Sequence, residues 1–238
     1  MLIDLHNHTG WGSGDSHIDP SDLIEQARRW GLDGIAVTDH DQLWDPEKVE
    51  MLRRRHQFPF LGGVEVDTEG GHVLVFGLRG PQRWSRLPTV EQLRTAVEQA
   101  GGVMVLAHPF QDLFAAVLVE KDSEEGWERL IERHGWRLMD AVEVYNGRLG
   151  PQQREMAAEL ARRLALPTTG GSDTHRLMEV ARCFTVFDDE IKDEQELVTA
   201  IKKGRCHGGD WLSEGLFDER GRELAAGGRN VNAVPSEE

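Results

Sequence analysis

Apolar runs rich in Val, Ile and Leu recur along this chain and alternate with stretches in which apolar residues return every three or four positions. That alternation predicts βα units wrapped about a parallel sheet or barrel. The predicted strands cover 2–6, 34–38, 60–66, 73–78, 103–107, 141–145, 167–171 and 183–187. Helix signals fill the intervals. Asp19 before Pro20 opens a helix that runs to Trp30 and stops at Gly31, and Pro46 opens another that reaches about Arg55. Thr89 followed by Gln92 reads as a capping box for a helix over 90–100 that ends at Gly101 and Gly102. Pro151 starts a helix to 166, and 194–203 forms the last one before Gly204.

Two stretches break this rhythm. The connection 110–137 is long, carries the acidic turn Lys121, Asp122, Ser123, Glu124, Glu125, and directly follows His108. A connection of that length beside a candidate ligand is expected to lie over the site. Residues 216–238 are polar, Gly-rich and unpatterned, which predicts a mobile tail after a single catalytic domain over 1–215. The whole length of 238 residues agrees with one barrel domain and a short tail.

Composition narrows the function. No apolar run is long enough to span a bilayer, and the start, MLIDLHNHTG, lacks the basic flank and long apolar stretch of a secretory signal, so a cytoplasmic protein with no membrane partner is expected. Its two cysteines, Cys183 and Cys206, form neither a disulfide framework nor a CxxC pair. Any metal chemistry therefore falls to histidine and carboxylate. A formal net charge of −15 argues against a broad basic surface that tracks duplex nucleic acid, because such affinity comes largely from phosphate neutralisation. A small anionic substrate remains compatible, since buried cations invert the local field.

The histidines and acids collect at strand ends. His6 and His8 end the first strand, Asp39 and His40 the second in TDHD, Glu65 the third in GVEVD, and His108 the fifth in AHP. His72 precedes the fourth strand, and Asp173 and His175 follow the seventh in GGSDTH. In a barrel the C-terminal ends of the strands converge on one face, so these groups meet there. Residues two apart at a strand end project to the same side, which lets both imidazoles of HxH grip one ion. The DxH pair repeats that geometry with a hard oxygen donor, and the two oxygens of Glu65 can bridge neighbouring ions. Imidazoles outnumber oxygens, which suits Zn²⁺, Mn²⁺ or Fe²⁺ rather than Ca²⁺.

With these motifs in this order, the chain resembles the PHP (polymerase and histidinol phosphatase) family of metal-dependent phosphoesterases. The resemblance covers about residues 1–205 and rests on DLHNHT, TDHD, the Glu of GVEV, AHP and GGSDTH, with EVYNGR and ARCFTVF similar to the family's small bacterial form. It implies a distorted (β/α)₇ barrel with a trinuclear metal centre at the C-terminal ends of the strands. Carried over position by position, the ligands are His6, His8, Asp15, His40, Glu65, His72, His108, Asp173 and His175. The stretch GWGSGDSHIDP offers both Asp15 and His17 at one of these positions, and counting back from Pro20 selects Asp15. The implied cofactors are two or three divalent cations. The implied reaction is hydrolysis of a phosphate ester by metal-activated water. Its expected substrates are small phosphorylated molecules, nucleotides or short oligonucleotide ends.

Other groups complete the candidate list. Asp39 reads as an acid that orients a ligand histidine or as a plain strand end, and Arg148 and Arg182 as guanidinium clamps on a phosphate or as surface ion-pair partners. Glu143 lies among alternating apolar residues and can reach the site without being a ligand. Trp11 and Trp44 flank the metal motifs and read either as the lining of a pocket that stacks a base or ring or as ordinary packing residues. His56, His134 and His207 stand alone in helical or loop stretches and receive no function. Two other readings are an amidohydrolase, expected to end in a lone aspartate without DxH, and a metal-binding module without catalysis. A nuclease for longer nucleic acid is a third.

Overall fold

The computed structural model describes residues 1–78, 87–111, 120 and 123–216. Among them the strands are β1 (Leu2–Asp4), β2 (Gly34–Val37), β3 (Phe60–Thr68), β4 (Gly71–Phe76), β5 (Val103–Leu106), β6 (Ala141–Asn146), β7 (Thr168–Gly171), β8 (Phe184–Phe187) and β9 (Cys206–Gly209). The helices are α1 (Pro20–Arg29), α2 (Pro46–His56), α3 (Val90–Ala100), α4 (Glu124–Arg133), α5 (Pro151–Leu164) and α6 (Glu194–Lys202). Caps start α1, α2 and α3 where the sequence indicates, whereas α4 lies in the stretch expected to be a connection. Asp19 accepts from Ser21 N, Asp45 from Glu47 N, and Thr89 and Gln92 make the reciprocal capping box. No helix of the described residues is long and apolar enough to cross a membrane.

The strands form one sheet in the order β7-β6-β5-β4-β3-β2-β1-β8-β9. β1, β2 and β3 are parallel neighbours, as are β5, β6 and β7. β4 runs antiparallel to both β3 and β5, which departs from the uniform parallel order expected of βα units. Only three residues separate Thr68 at the end of β3 from His72, so the chain makes a hairpin here in place of a helical crossover. The reversal puts the N-terminal end of β4, and His72 with it, at the same face as the C-terminal ends of its neighbours. β9, with the sequence CHGG, was not among the eight expected strands; it pairs antiparallel with β8.

The sheet curls until β7 lies beside β1. Past the ends of β1 and β7 the chain continues the pairing, with Asp173 N donating to His6 O at 2.8 Å and His8 N to Thr174 O at 3.0 Å. Gly171 permits this approach: a Cβ there would lie 2.4 Å from His6 Cβ. Asp4, fully buried, ties the seam from below by accepting from His6 N, Ser172 N and Ala181 N. Burial pushes its carboxyl up to about 6, with the backbone donors pulling the other way.

Strand periodicity sorts the core. On β5, Val103 and Val105 join a cluster with Ile3, Leu61 and Leu74, while Met104 and Leu106 join another with Leu93, Leu130 and Leu160. Residues from opposite sides of the ring can share a cluster only in the barrel lumen, so the first cluster is the interior, capped by Leu197 and Ile201 of α6. The other lies between sheet and helices. The described part of the long connection belongs to the latter: Trp127, Leu130 and Ile131 of α4 are buried there, and Phe110 packs edge-on against Trp127 and Trp136. This part is therefore a flank of the barrel and not the expected roof over the site. Residues 112–119, 121 and 122, and the expected tail beyond residue 216, lie outside the described residues.

Candidate metal centre

Register aims the site. Glu65 pairs with Leu74 and Asp67 with His72 across β3 and β4, and Leu74 faces the lumen, so all four side chains point inward. Glu65 stands at the centre. Its Oε2 lies 3.2 Å from His6 Nε2, 3.2 Å from His8 Nε2 and 3.3 Å from His40 Nδ1; its Oε1 lies 2.9 Å from His72 Nδ1 and 3.0 Å from His108 Nε2. Asp173 Oδ1 is 3.5 Å from His8 Nε2 and 3.8 Å from His6 Nε2. At the mouth, Asp15 Oδ2 is 2.8 Å from His175 Nε2 and 3.5 Å from His40 Nε2.

Several of these atoms are buried without a hydrogen-bond partner: Nε2 of His6, Nε2 of His8, Oε2 of Glu65 and Oδ1 of Asp67. Orphaned polar atoms inside a protein are costly and rare. Donors bound at about 2.0–2.2 Å to one cation stand roughly 3.0–3.6 Å apart, close to the separations seen here. Four groups have donors near enough to share an ion: His8, Asp15, His40 and His175; His6, Glu65 and His108; His6, His8 and Asp173; and His40, Asp67 and His72. The residues present fit a cluster of divalent cations.

The imidazoles and carboxylates of the cluster shift one another's protonation. Burial opposes charge on His6, yet the carboxylates of Glu143, Glu65 and Asp173 raise its pKa well above the ordinary value. His40 is raised to about 9, first by the Asp67 carboxylate. Burial alone would raise Glu65 and Asp173, but His6 and the imidazoles around them hold both below the usual range. A cation entering such a set displaces protons. His108 (φ 25°) and Asp173 (φ 54°) hold left-handed backbone conformations, strain that commonly gathers at functional sites.

The PHP domain family model matches residues 4–173, and the PHP-associated model matches residues 151–206. This chain belongs to the PHP family. Among curated relatives, the error-prone DNA polymerase of Pseudomonas fluorescens is 26% identical over 162 residues, which are 65% of this chain and 16% of the polymerase. The chain thus spans about a sixth of that relative. Among solved structures, a Bifidobacterium adolescentis protein described as a metal-dependent phosphoesterase is 20% identical with TM-score 0.56, covering 84% of this chain and 95% of that one. The lesion-specific endonuclease EndoQ of Pyrococcus furiosus is 18% identical with TM-score 0.59, covering 87% of this chain and 57% of that one.

All nine residues carried over from the PHP pattern lie in or beside the four groups. Supporting contacts fix which imidazole nitrogens face the cluster. His6 Nδ1 is 3.1 Å from Glu143 Oε1, and Glu143 also accepts from His108 N and Asn146 Nδ2, so His6 presents Nε2 to the cluster. His8 Nδ1 is 3.1 Å from Ser13 Oγ, which donates to Asp39. Asp39 does not reach the cluster. It accepts from Thr9 N, Thr9 Oγ1, Ser13 Oγ and Trp44 Nε1, so it acts on His8 through Ser13. Gly12 lets the loop close over it, since a Cβ there would lie 2.4 Å from Asp39 Oδ2.

Arg148 stands at the mouth, with Nε 3.4 Å from Asp173 Oδ2 and one amino group 2.7 Å from His175 Nδ1. Arg182 is exposed and exerts its charge on Glu179, whose carboxylate accepts from His175 N, and Arg182 itself is in none of the four groups. Asp67 was absent from the sequence-based list, although its place two residues after Glu65 on one strand put it on the same face. His17 is exposed and belongs to none of the groups, while Asp15 does. Asp15→Ala is therefore expected to cost at least about tenfold in metal affinity, with His17→Ala near wild type. Metal titration by calorimetry checks this, and the reverse ranking would reject Asp15.

Proposed function

We propose that this chain is a metal-dependent phosphoesterase that hydrolyses small phosphorylated molecules, nucleotides or short oligonucleotide ends. The observation that carries the reading is the convergence of unpartnered, buried His6 Nε2 and His8 Nε2 on one oxygen of Glu65. His6, His8, Asp15, His40, Glu65, His72, His108, Asp173 and His175 would hold two or three divalent ions, with Mn²⁺, Fe²⁺ and Zn²⁺ suiting the donor set. Such ions supply an activated water and neutralise phosphoryl charge.

The chain's own groups do the rest. Glu143 and the Asp39–Ser13 pair hold His6 and His8 in the tautomer that leaves Nε2 open. Arg148 turns its half-exposed guanidinium from His175 to the substrate phosphate, where two N–H groups can donate together. Arg182, farther out, would steer the anion rather than clamp it. Asp15 is 48% exposed and His175 17%, so one ion position opens to solvent as a catalytic site requires and a purely structural site does not. The joint placement of Asp15, His40 and His175 supports phosphoester over amidohydrolase chemistry, for which no second-strand DH or terminal DxH is expected.

The test is to load the protein with Mn²⁺ or Fe²⁺ and assay phosphate mono- and diesters beside long single- and double-stranded DNA across a salt series. Small esters are expected to turn over with a shallow salt dependence, because a net charge of −15 offers little to a polyanion. Efficient cleavage of long duplexes with a steep salt slope, and negligible turnover of small esters, would assign a nuclease instead.

A further inference from the structure

A cavity of about 340 Å³ is lined by Trp11, Gln42, Trp44, Asp45, Pro46 and Lys48, together with Leu43. Its walls continue the loops that carry ligands: Trp11 stands between His8 and Asp15, and Gln42 to Trp44 follow His40. Trp44 is fixed, 7% exposed, with Nε1 donating to Asp39 Oδ2 at 2.7 Å. Trp11 is 50% exposed and rests on Trp44, the rings 4° from parallel with centroids 5.3 Å apart. Among the described residues it is the one aromatic side chain among the exposed large hydrophobics. Lys48 Nζ stands 5.9 Å from the Trp11 ring centre, at the outer reach of a cation–π contact.

An indole left half in water forgoes the stabilisation that burial would bring, and here its flat face is held in place by a buried partner. We propose that Trp11, backed by Trp44, is a stacking platform for the nucleobase of a nucleotide whose phosphate lies at the metal centre. The inference rests on the phosphoesterase reading and names its substrate class. A nucleobase fits because every base offers a flat π face to an aromatic platform. The cavity's volume falls within the range of small-molecule sites, which combine apolar walls with a few polar groups. Gln42 and Asp45 supply polar groups for the ring edges, and the Lys48 ammonium can cover the outer face of the stacked base.

Two measurements on the full chain test this. Equilibrium dialysis with adenosine, which has no ester to cleave, is expected to show saturable binding that Trp11→Ala weakens by roughly five- to hundredfold, the range set by loss of one stacked base. Trp11→Phe, which keeps a ring, should stay within a few-fold of wild type. In the Mn²⁺-loaded protein, kcat/KM should favour adenosine 5′-monophosphate over ribose 5-phosphate, and Trp11→Ala should reduce that preference by a similar factor. Absence of adenosine binding, equal binding by wild type and Trp11→Ala, or no preference between the two esters would overturn the platform. If neither ester is hydrolysed while adenosine binding still depends on Trp11, the phosphoesterase reading fails and the stacking site stands.

Discussion

Replacing His6 and His8 together by alanine is expected to abolish metal binding at the heart of the centre and to lower phosphoesterase activity by on the order of a thousandfold or more. The two imidazoles sit at 0% exposure, point Nε2 at the same oxygen of Glu65 and reach Asp173 as well, so both belong to one of the four candidate ion-holding groups and each belongs to one more. Removing them leaves Glu143 and Ser13 without the side chains they orient. Metal content by elemental analysis and turnover should fall together. Circular dichroism should remain that of the wild type, because the strand pairing around them is made by backbone groups. Full activity in the double variant would refute the assignment of the centre.

Asp39→Ala is expected to be the most destabilising single substitution near the site, although Asp39 lies outside the ion-binding groups. Four donors converge on its buried carboxylate, from Thr9 N, Thr9 Oγ1, Ser13 Oγ and Trp44 Nε1, at 2.6 to 2.9 Å. Alanine would strand them, at a cost of about 3–5 kcal/mol. For a domain of this size that corresponds to a fall in Tm of roughly 6–20 °C. The melts belong in chelator, since bound metal would add its own stabilisation. With the carboxylate gone, Ser13 loses the acceptor that orients its hydroxyl toward His8, so metal affinity should drop as well. A variant that melts within about 1 °C of wild type would show that this network does not hold the loop.

Much of the fold was legible because its signals are local. Apolar runs rich in Val, Ile and Leu marked eight of the nine strands among the described residues, and Asp19, Pro46, Thr89 and Pro151 marked helix starts through signals that need only a few neighbouring residues. β9 escaped because Cys206–Gly209 is short and half glycine, and owes its strand state to pairing with β8. The flanking position of α4 escaped for a similar reason: chain length suggested a roof, but Trp127, Leu130 and Ile131 had a lateral core to join.

The sequence by itself determined the candidate ligand types and their attachment to strand ends, because HxH, DxH and strand alternation are properties of residues two apart. It also determined the family, through motifs whose order survives without coordinates. Only the tertiary structure decided that β4 runs backwards and so delivers His72 to the site, and that Asp67 comes together with His40 and His72 in one group. The same holds for the direction in which His6 and His8 turn their nitrogens and for the role of Asp39 behind them. These outcomes depend on pairings between residues from about five to well over a hundred positions apart in sequence. No local pattern encodes such pairings, because they are chosen by the closure of the barrel and by the hydrogen-bonding demands of groups that closure buries.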